Sequence, residues 1–233
     1  MIAVLTGAGI SSDSGLATFR DSNGLWANHR IEDVCTPEAL ITNRAEVVKF
    51  YNERRREMMK CTPNAAHTAI ARLARFKEVR VITQNIDDLH ERAGSEDVIH
   101  LHGELRKLRS SRDEDALVDI EGWEQKMDER HADGSLLRPH VVFFGEAVPM
   151  MDEAIRVVRK ADIVIVVGTS LNVYPAAGLV NYTSADVPIY IVDPAADDDT
   201  FKRPSIPNKV IYIARRGAVG VPALVDKLIS ECK

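Results

Sequence analysis

The chain has 233 residues, 45% hydrophobic and 28% charged, with a formal net charge of −5, which suits one globular domain with an appendage and excludes a disordered segment. An acidic balance without a basic surface argues against nucleic acid or an anionic membrane as partner, and no apolar run approaches the ~18 residues of a membrane helix. Cys35, Cys61 and Cys232 form no CxxC pair, so no disulfide framework is expected and the expected location is cytoplasmic.

Taken in chain order, IAVLT (2–6) reads as a first strand, apolar without polar alternation, as strands covered on both faces do. Residues 5–20 then read LTGAGISSDSGLATFR. Gly7 and Gly9 suit a turn whose backbone amides approach a pyrophosphate, with a helix behind it offering its positive end. A dehydrogenase fingerprint also needs a third small residue and an acid about 20 residues on, at the end of the next strand. Ser12 holds the third position, and Glu32 and Asp33 fall in HRIEDVCTP, which has no strand character. Hydride transfer is therefore disfavoured. Phe19 and Arg20, followed by DSNGLW, make a long polar loop with one aromatic, the kind that usually carries function.

A helix is predicted over 37–59, and its arginine run Arg54, Arg55, Arg56 reads in isolation as a solvated face. Tyr51 and Arg54 stand three apart, so on a helix they share a face and can converge on one ligand. A further helix (64–76) precedes the strand VRVIT (79–83), which ends in Gln84, Asn85 and Asp87. The strand DVIHLH (97–102) puts His100 and His102 on one face, so spacing does not choose between them. Residues 104–137 are charged and without period, and HVVFF (140–144) follows as a strand. After a helix at 152–160, the strand DIVIVVG (162–168) ends in Gly168, Thr169 and Ser170; strands at 189–193 and 209–214 and a helix at 221–230 close the chain. The pattern is α/β, a Rossmann-like parallel sheet with helices on both faces. It forms one domain over 1–233, with a small lobe inserted at about 21–60 and 104–137. A lobe beside a sheet makes a cleft, and ligands collect beyond the carboxyl ends of such strands.

The ordered set GAGISSDSGLATFR, TQNID, HLHG, RPHVVFFGE and GTSLNVYPAA resembles the sirtuin family of NAD-dependent protein-lysine deacylases, across nearly the whole chain. The resemblance implies that NAD is consumed as co-substrate, held by Gly7, Ala8, Gly9 and Ile10, by Gln84, Asn85, Ile86 and Asp87, and by Gly168, Thr169 and Ser170. Phe19 and Arg20 would belong to a mobile loop in which Phe19 shields the reactive ribose carbon from water. His102, before the glycine of HLHG, matches the general base, with Asn85 beside it in the chemistry. Val142, Phe143, Phe144 and Gly145 match the segment that pairs with the backbone of the acylated protein or peptide. Asp193 stands where the family usually has an asparagine at the adenosine.

The Tyr51-x-x-Arg54 pair is similar to the branch that removes malonyl, succinyl and glutaryl groups, since arginine binds a carboxylate through two charge-assisted hydrogen bonds. Many members hold the small lobe with a four-cysteine zinc. Here Ser110 occupies the place of the first cysteine and 103–139 contains none, so no zinc is expected. Leu105, Leu108, Leu117, Ile120 and Trp123 are expected to hold the lobe instead. Mono-ADP-ribosyl transfer and an NAD-binding sensor are the competing readings.

Overall fold

A computed structural model describes residues 1–17, 29–198 and 209–231. Phe19 and Arg20 lie outside them. The chain opens with β1 (Ile2–Thr6) and the short α1 (Ala8–Ser12), then α2 (Ile31–Val34), α3 (Pro37–Thr42) and α4 (Arg44–Met58). It continues through α5 (Ala65–Leu73), β2 (Val79–Thr83), α6 (Leu89–Arg92), β3 (Val98–His100), β4 (Gly103–Ser110), β5 (Leu117–Asp119) and β6 (Leu137–Val141). The last part holds α7 (Met151–Lys160), β7 (Ile163–Val167), β8 (Ile189–Val192), β9 (Val210–Ile213) and α8 (Gly217–Ser230), with 3₁₀ turns at Ala176–Tyr182 and Pro194–Asp197.

Six parallel strands lie in the order β3-β2-β1-β7-β8-β9. The chain builds outward in one direction from β1 to β3 and in the other from β7 to β9. The reversal between β1 and β7 opens a crevice at their carboxyl ends, where ligands bind in such sheets. All five residues of β1 are buried. Ala3 and Leu5 pack with Val157 and Val158 of α7 on one face; Ile2 and Val4 pack with Ile70 of α5 and Leu224 of α8 on the other. Burying a side chain of this kind is worth about 1.5–3 kcal/mol, so each strand is held from both sides.

β5, β4 and β6 form a separate antiparallel sheet. Leu108, Ile120 and Leu137 make its small core, while Leu105 packs with Phe50 and Tyr51 of α4. Leu117 and Trp123 do not hold this region: they are 41% and 37% exposed, because β5 is an edge strand and Trp123 lies under the Arg56 guanidinium at the surface. The long helix expected over 37–59 is two helices. Thr36 caps α3, its Oγ1 accepting the Ala39 N–H at 3.1 Å, and the chain bends at Asn43 before α4 begins. The strand expected at 140–144 runs instead from Leu137 to Val141, and 142–146 turns away as a loop.

Candidate active site

Gly7 and Gly168 follow β1 and β7 directly, and their turns touch. The Gly9 N–H donates to the Gly168 carbonyl at 2.8 Å, and the Gly7 N–H to that of Val167 at 3.1 Å. A Cβ on Gly9 would stand 2.7 Å from the Gly168 Cα, and Gly168 itself takes a φ of +62°, a conformation that favours glycine. The first duty of these glycines is close backbone packing. The Gly7 and Gly9 amides bond the end of β7, and the Gly168 amide bonds the Val192 carbonyl at 3.1 Å. The Ile10 side chain is fully buried in the core between β1, α5 and α8.

Beyond this turn lies a cavity of about 530 Å³, lined by Gly7, Ala8 and Gly9 and by Tyr51 and Arg54. Gln84, Asn85, Ile86, Asp87 and His102 line it from the β2 side, and Gly168, Thr169, Ser170 and Asp193 from the β7 and β8 side. The polar groups hold one another. Asn85 Nδ2 donates to the Gly7 carbonyl at 3.2 Å and to Ser11 Oγ at 3.1 Å, and Ser11 Oγ donates to Asp87 Oδ2 at 3.0 Å. Burial raises the Asp87 carboxyl, while the Leu89 N–H and Ser11 act in the opposite direction. Gln84 Nε2 spans to Thr169 Oγ1 at 3.2 Å, tying the end of β2 to that of β7. Asp193 Oδ1 accepts the Ala195 N–H at 2.9 Å and starts the 3₁₀ turn there. Ser11 is not among the residues that the sequence motifs single out; its signal is the paired serine one helical turn after Gly7.

The two histidines left open by spacing are separated by their surroundings. His100 is held between the Asn85 carbonyl (3.1 Å) and Glu91 Oε1 (2.7 Å) and does not line the cavity. Burial would lower its pKa, but the Glu91 hydrogen bond and charge outweigh that and raise it. His102 lines the cavity, with Nδ1 2.9 Å from the Gln84 carbonyl. A carbonyl only accepts, so Nδ1 carries the hydrogen and Nε2 keeps its lone pair. Burial lowers the His102 pKa, partly offset by that bond, so the ring is neutral at physiological pH. The turn after it needs Gly103, whose φ is +82° and where a Cβ would overlap the His140 carbonyl.

Tyr51 and Arg54 come from α4, and the solvated-face reading of its arginine run fails at two positions of three. Arg54 is 8% exposed in the cavity wall, with Glu57 Oε2 3.7 Å from Nη1. Arg55 is fully buried on another face, its Nε donating to the Leu105 carbonyl at 2.7 Å and its Nη1 to Asn52 Oδ1 at 2.7 Å and the Trp123 carbonyl at 2.8 Å. Arg56 alone is exposed. Val142, Phe143, Phe144 and Gly145 form the facing wall. Their loop is pinned by Glu146, which accepts the Phe143 N–H at 2.8 Å and Arg138 through both oxygens at 2.6 and 3.1 Å. The Val142 N–H donates to the His102 carbonyl at 3.0 Å, joining this loop to the histidine.

The model of the Sir2 family matches residues 7–175, from the glycine turn through most of the residues that line the cavity. The chain belongs to the Sir2 family. An NAD-dependent protein deacylase of Bacteroides thetaiotaomicron is 46% identical over 234 residues, covering 98% of this chain and 97% of the relative. One of Aggregatibacter actinomycetemcomitans is 56% identical over 191 residues, covering 82% and 91%. Among solved structures, a Sir2 homologue in complex with NAD superposes with a TM-score of 0.84 at 36% identity, covering 100% of this chain and 90% of that one.

Ser110, read from the sequence as taking the place of a zinc cysteine, closes β4. Its Oγ donates to Asp133 Oδ2 at 2.6 Å, lies 2.7 Å from Ser135 Oγ, and accepts the N–H groups of Arg112 and Asp113 at 3.0 and 3.2 Å. Two hydroxyls and a carboxylate satisfied by one another do not make the thiolate set of a structural zinc site. Among the described residues, no group of three or more His, Cys, Asp or Glu is placed to hold a metal ion. Nor is any described helix long and apolar enough to cross a membrane.

Proposed function

We propose that this Sir2 chain is an NAD-dependent protein-lysine deacylase, a single catalytic domain that prefers acidic acyl groups, succinyl and malonyl, over acetyl and works without zinc. One observation carries the reading: a single cavity is lined by His102, by Asn85 and Asp87, and by the Tyr51 and Arg54 pair. Its relatives are named NAD-dependent protein deacylases.

NAD, consumed as co-substrate, supplies a ribose carbon that takes the acyl oxygen as nicotinamide leaves. Asn85 and Asp87, fixed through Ser11, hold the ribose and nicotinamide side; Gly7, Ala8, Gly9 and Gly168 let the phosphates lie against bare backbone; Gln84, Thr169, Ser170 and Asp193 border the remaining ribose and adenosine. His102 accepts a ribose hydroxyl proton at Nε2, so that this oxygen can take the acyl group from the lysine nitrogen. One water is consumed at the acyl carbon once the lysine amine has left, and the products are nicotinamide, free lysine and 2'-O-acyl-ADP-ribose. The loop Val142–Gly145 borders the substrate backbone, and the Arg54 guanidinium and Tyr51 hydroxyl receive the acyl carboxylate.

Mass-spectrometric turnover of matched succinyl-lysine and acetyl-lysine peptides, with and without NAD, tests the reading. The expected result is NAD-dependent loss of succinyl at the higher kcat/KM, abolished in His102→Ala. Arg54→Met is expected to lower kcat/KM on succinyl by about 10- to 100-fold, the worth of a charged hydrogen-bond pair, and to spare acetyl. Equal losses on both peptides would remove the acyl assignment, and turnover of neither would remove the deacylase reading.

A further inference from the structure

In the wall of the cavity lies a polar group that the proposed reaction does not use. Cys35 follows α2 and lines the cavity beside Tyr51 and Arg54. Its Sγ lies 3.3 Å from Tyr51 Oη, and its carbonyl accepts the Phe144 N–H at 2.9 Å. One residue thus touches both the acyl wall and the peptide-facing loop. The Tyr51 ring is held independently, stacked on Phe143 at 5.7 Å and 18° and met edge-on by Phe50 at 5.2 Å. With the ring fixed, the hydroxyl keeps one freedom, the direction of its hydrogen. Aimed at sulfur, it leaves an oxygen lone pair towards the cavity, which repels a carboxylate; aimed into the cavity, it offers a donor. Arg54, its side chain 10% exposed and Glu57 Oε2 3.7 Å from Nη1, brings a guanidinium to the same wall.

We propose that Cys35 is a positioning residue for acyl specificity: its S–H donates to Tyr51 Oη and turns the Tyr51 O–H towards the carboxylate of an acidic acyl group. The proposal rests on the reading of Tyr51 and Arg54 as the carboxylate clamp. The thiol keeps its proton, since burial pushes it up to about 11 against the smaller effects of Tyr51 and Arg54. A thiol so buried is also a poor nucleophile, so the residue serves as a hydrogen-bond donor. An acetyl group has no carboxylate and gains nothing from the orientation.

Steady-state kinetics at saturating NAD, on matched succinyl- and acetyl-lysine peptides, compare wild type with Cys35→Ala, Cys35→Ser and Arg54→Met, each checked by thermal melting. Losing a neutral hydrogen bond is worth roughly 2- to 10-fold. Cys35→Ala is therefore expected to raise KM for the succinyl peptide by that factor, with kcat and the acetyl kinetics unchanged, and Cys35→Ser to restore it. A wild-type succinyl-to-acetyl ratio in Cys35→Ala, an equal change on both peptides, or no rescue by serine would each overturn the proposal. If Arg54→Met removes the succinyl preference while Cys35→Ala leaves it, the clamp stands and the role of Cys35 alone falls. If wild type has no preference, the clamp falls and takes this role with it.

Discussion

At His102 a single backbone bond decides which nitrogen can act. Because Nδ1 faces the Gln84 carbonyl at 2.9 Å, the lone pair sits on Nε2, and because burial lowers the pKa, that lone pair is available at neutral pH. A base works when unprotonated, so kcat/KM is expected to be flat above the ordinary histidine value of 6.5 and to fall only on the acid side of it. A pH–rate profile on an acylated peptide checks this, and an acid limb centred well above 6.5 would contradict it. His100 is legible in the sequence only as an equal candidate, since period-two spacing puts both rings on one face. What separates them is Glu91, nine residues before His100 in the chain, whose carboxylate takes His100 out of the site. A spacing rule carries no such information.

Strands buried on both faces announce themselves, which is why β1, β7 and β8 can be read as apolar runs. β4 cannot. Its sequence GELRKLRS sets Arg106, Lys107 and Arg109 around Leu105 and Leu108, because the strand lies in a small sheet whose charged groups are paired locally. Arg109 and Arg138, for instance, share the Glu146 carboxylate. Arg55 ties α4 to β4, alongside the packing of Leu105 on Phe50 and Tyr51. Arg55→Met removes three donated bonds and leaves the buried Leu105 carbonyl unpaired, at about 1–3 kcal/mol for that group alone. A loss of roughly 3 kcal/mol in urea unfolding is expected, and a change under about 0.5 kcal/mol would show that Arg55 does not hold the two elements together. The knot of Ser110, Asp133 and Ser135 predicts a different observation. Prolonged treatment with a metal chelator is expected to leave both Tm and deacylation unchanged, whereas a drop in Tm reversed by zinc would refute a zinc-free lobe.

Over the whole molecule, acid sensitivity has an identifiable source beneath the parallel sheet. His67 is fully buried, and burial pushes its imidazole down to about 4, the nearby Glu91 charge opposing only in part. His90, edge-on to it at 4.9 Å, is lowered too, by burial and then by the charges of His67 and His100. A base with a depressed folded pKa leaves stability whole above its unfolded value of 6.5 and lost as pH falls towards the folded value. From His67 alone, unfolding free energy is expected to drop by about 2 kcal/mol between pH 7 and pH 5. His67→Gln keeps an acceptor for the Asn64 N–H that His67 now bonds, and should flatten this slope in urea titrations at the two pH values; an unchanged slope would exonerate His67. The cavity and the small lobe also meet along α4, where Arg54 faces the cavity and Arg55 the lobe. Each residue added to a helix rotates the remaining turns by about 100°. An insertion between Tyr51 and Glu53 would therefore carry the Glu53 carboxylate into the place of Arg54 and set it against an acidic substrate. Deletion of Glu53 would bring Arg55 into the cavity and Arg56 into the lobe, conserving the chemistry at both positions. The triple arginine thus buffers the frame between Tyr51 and Arg54 in one direction only, tolerating the loss of a residue there but not a gain.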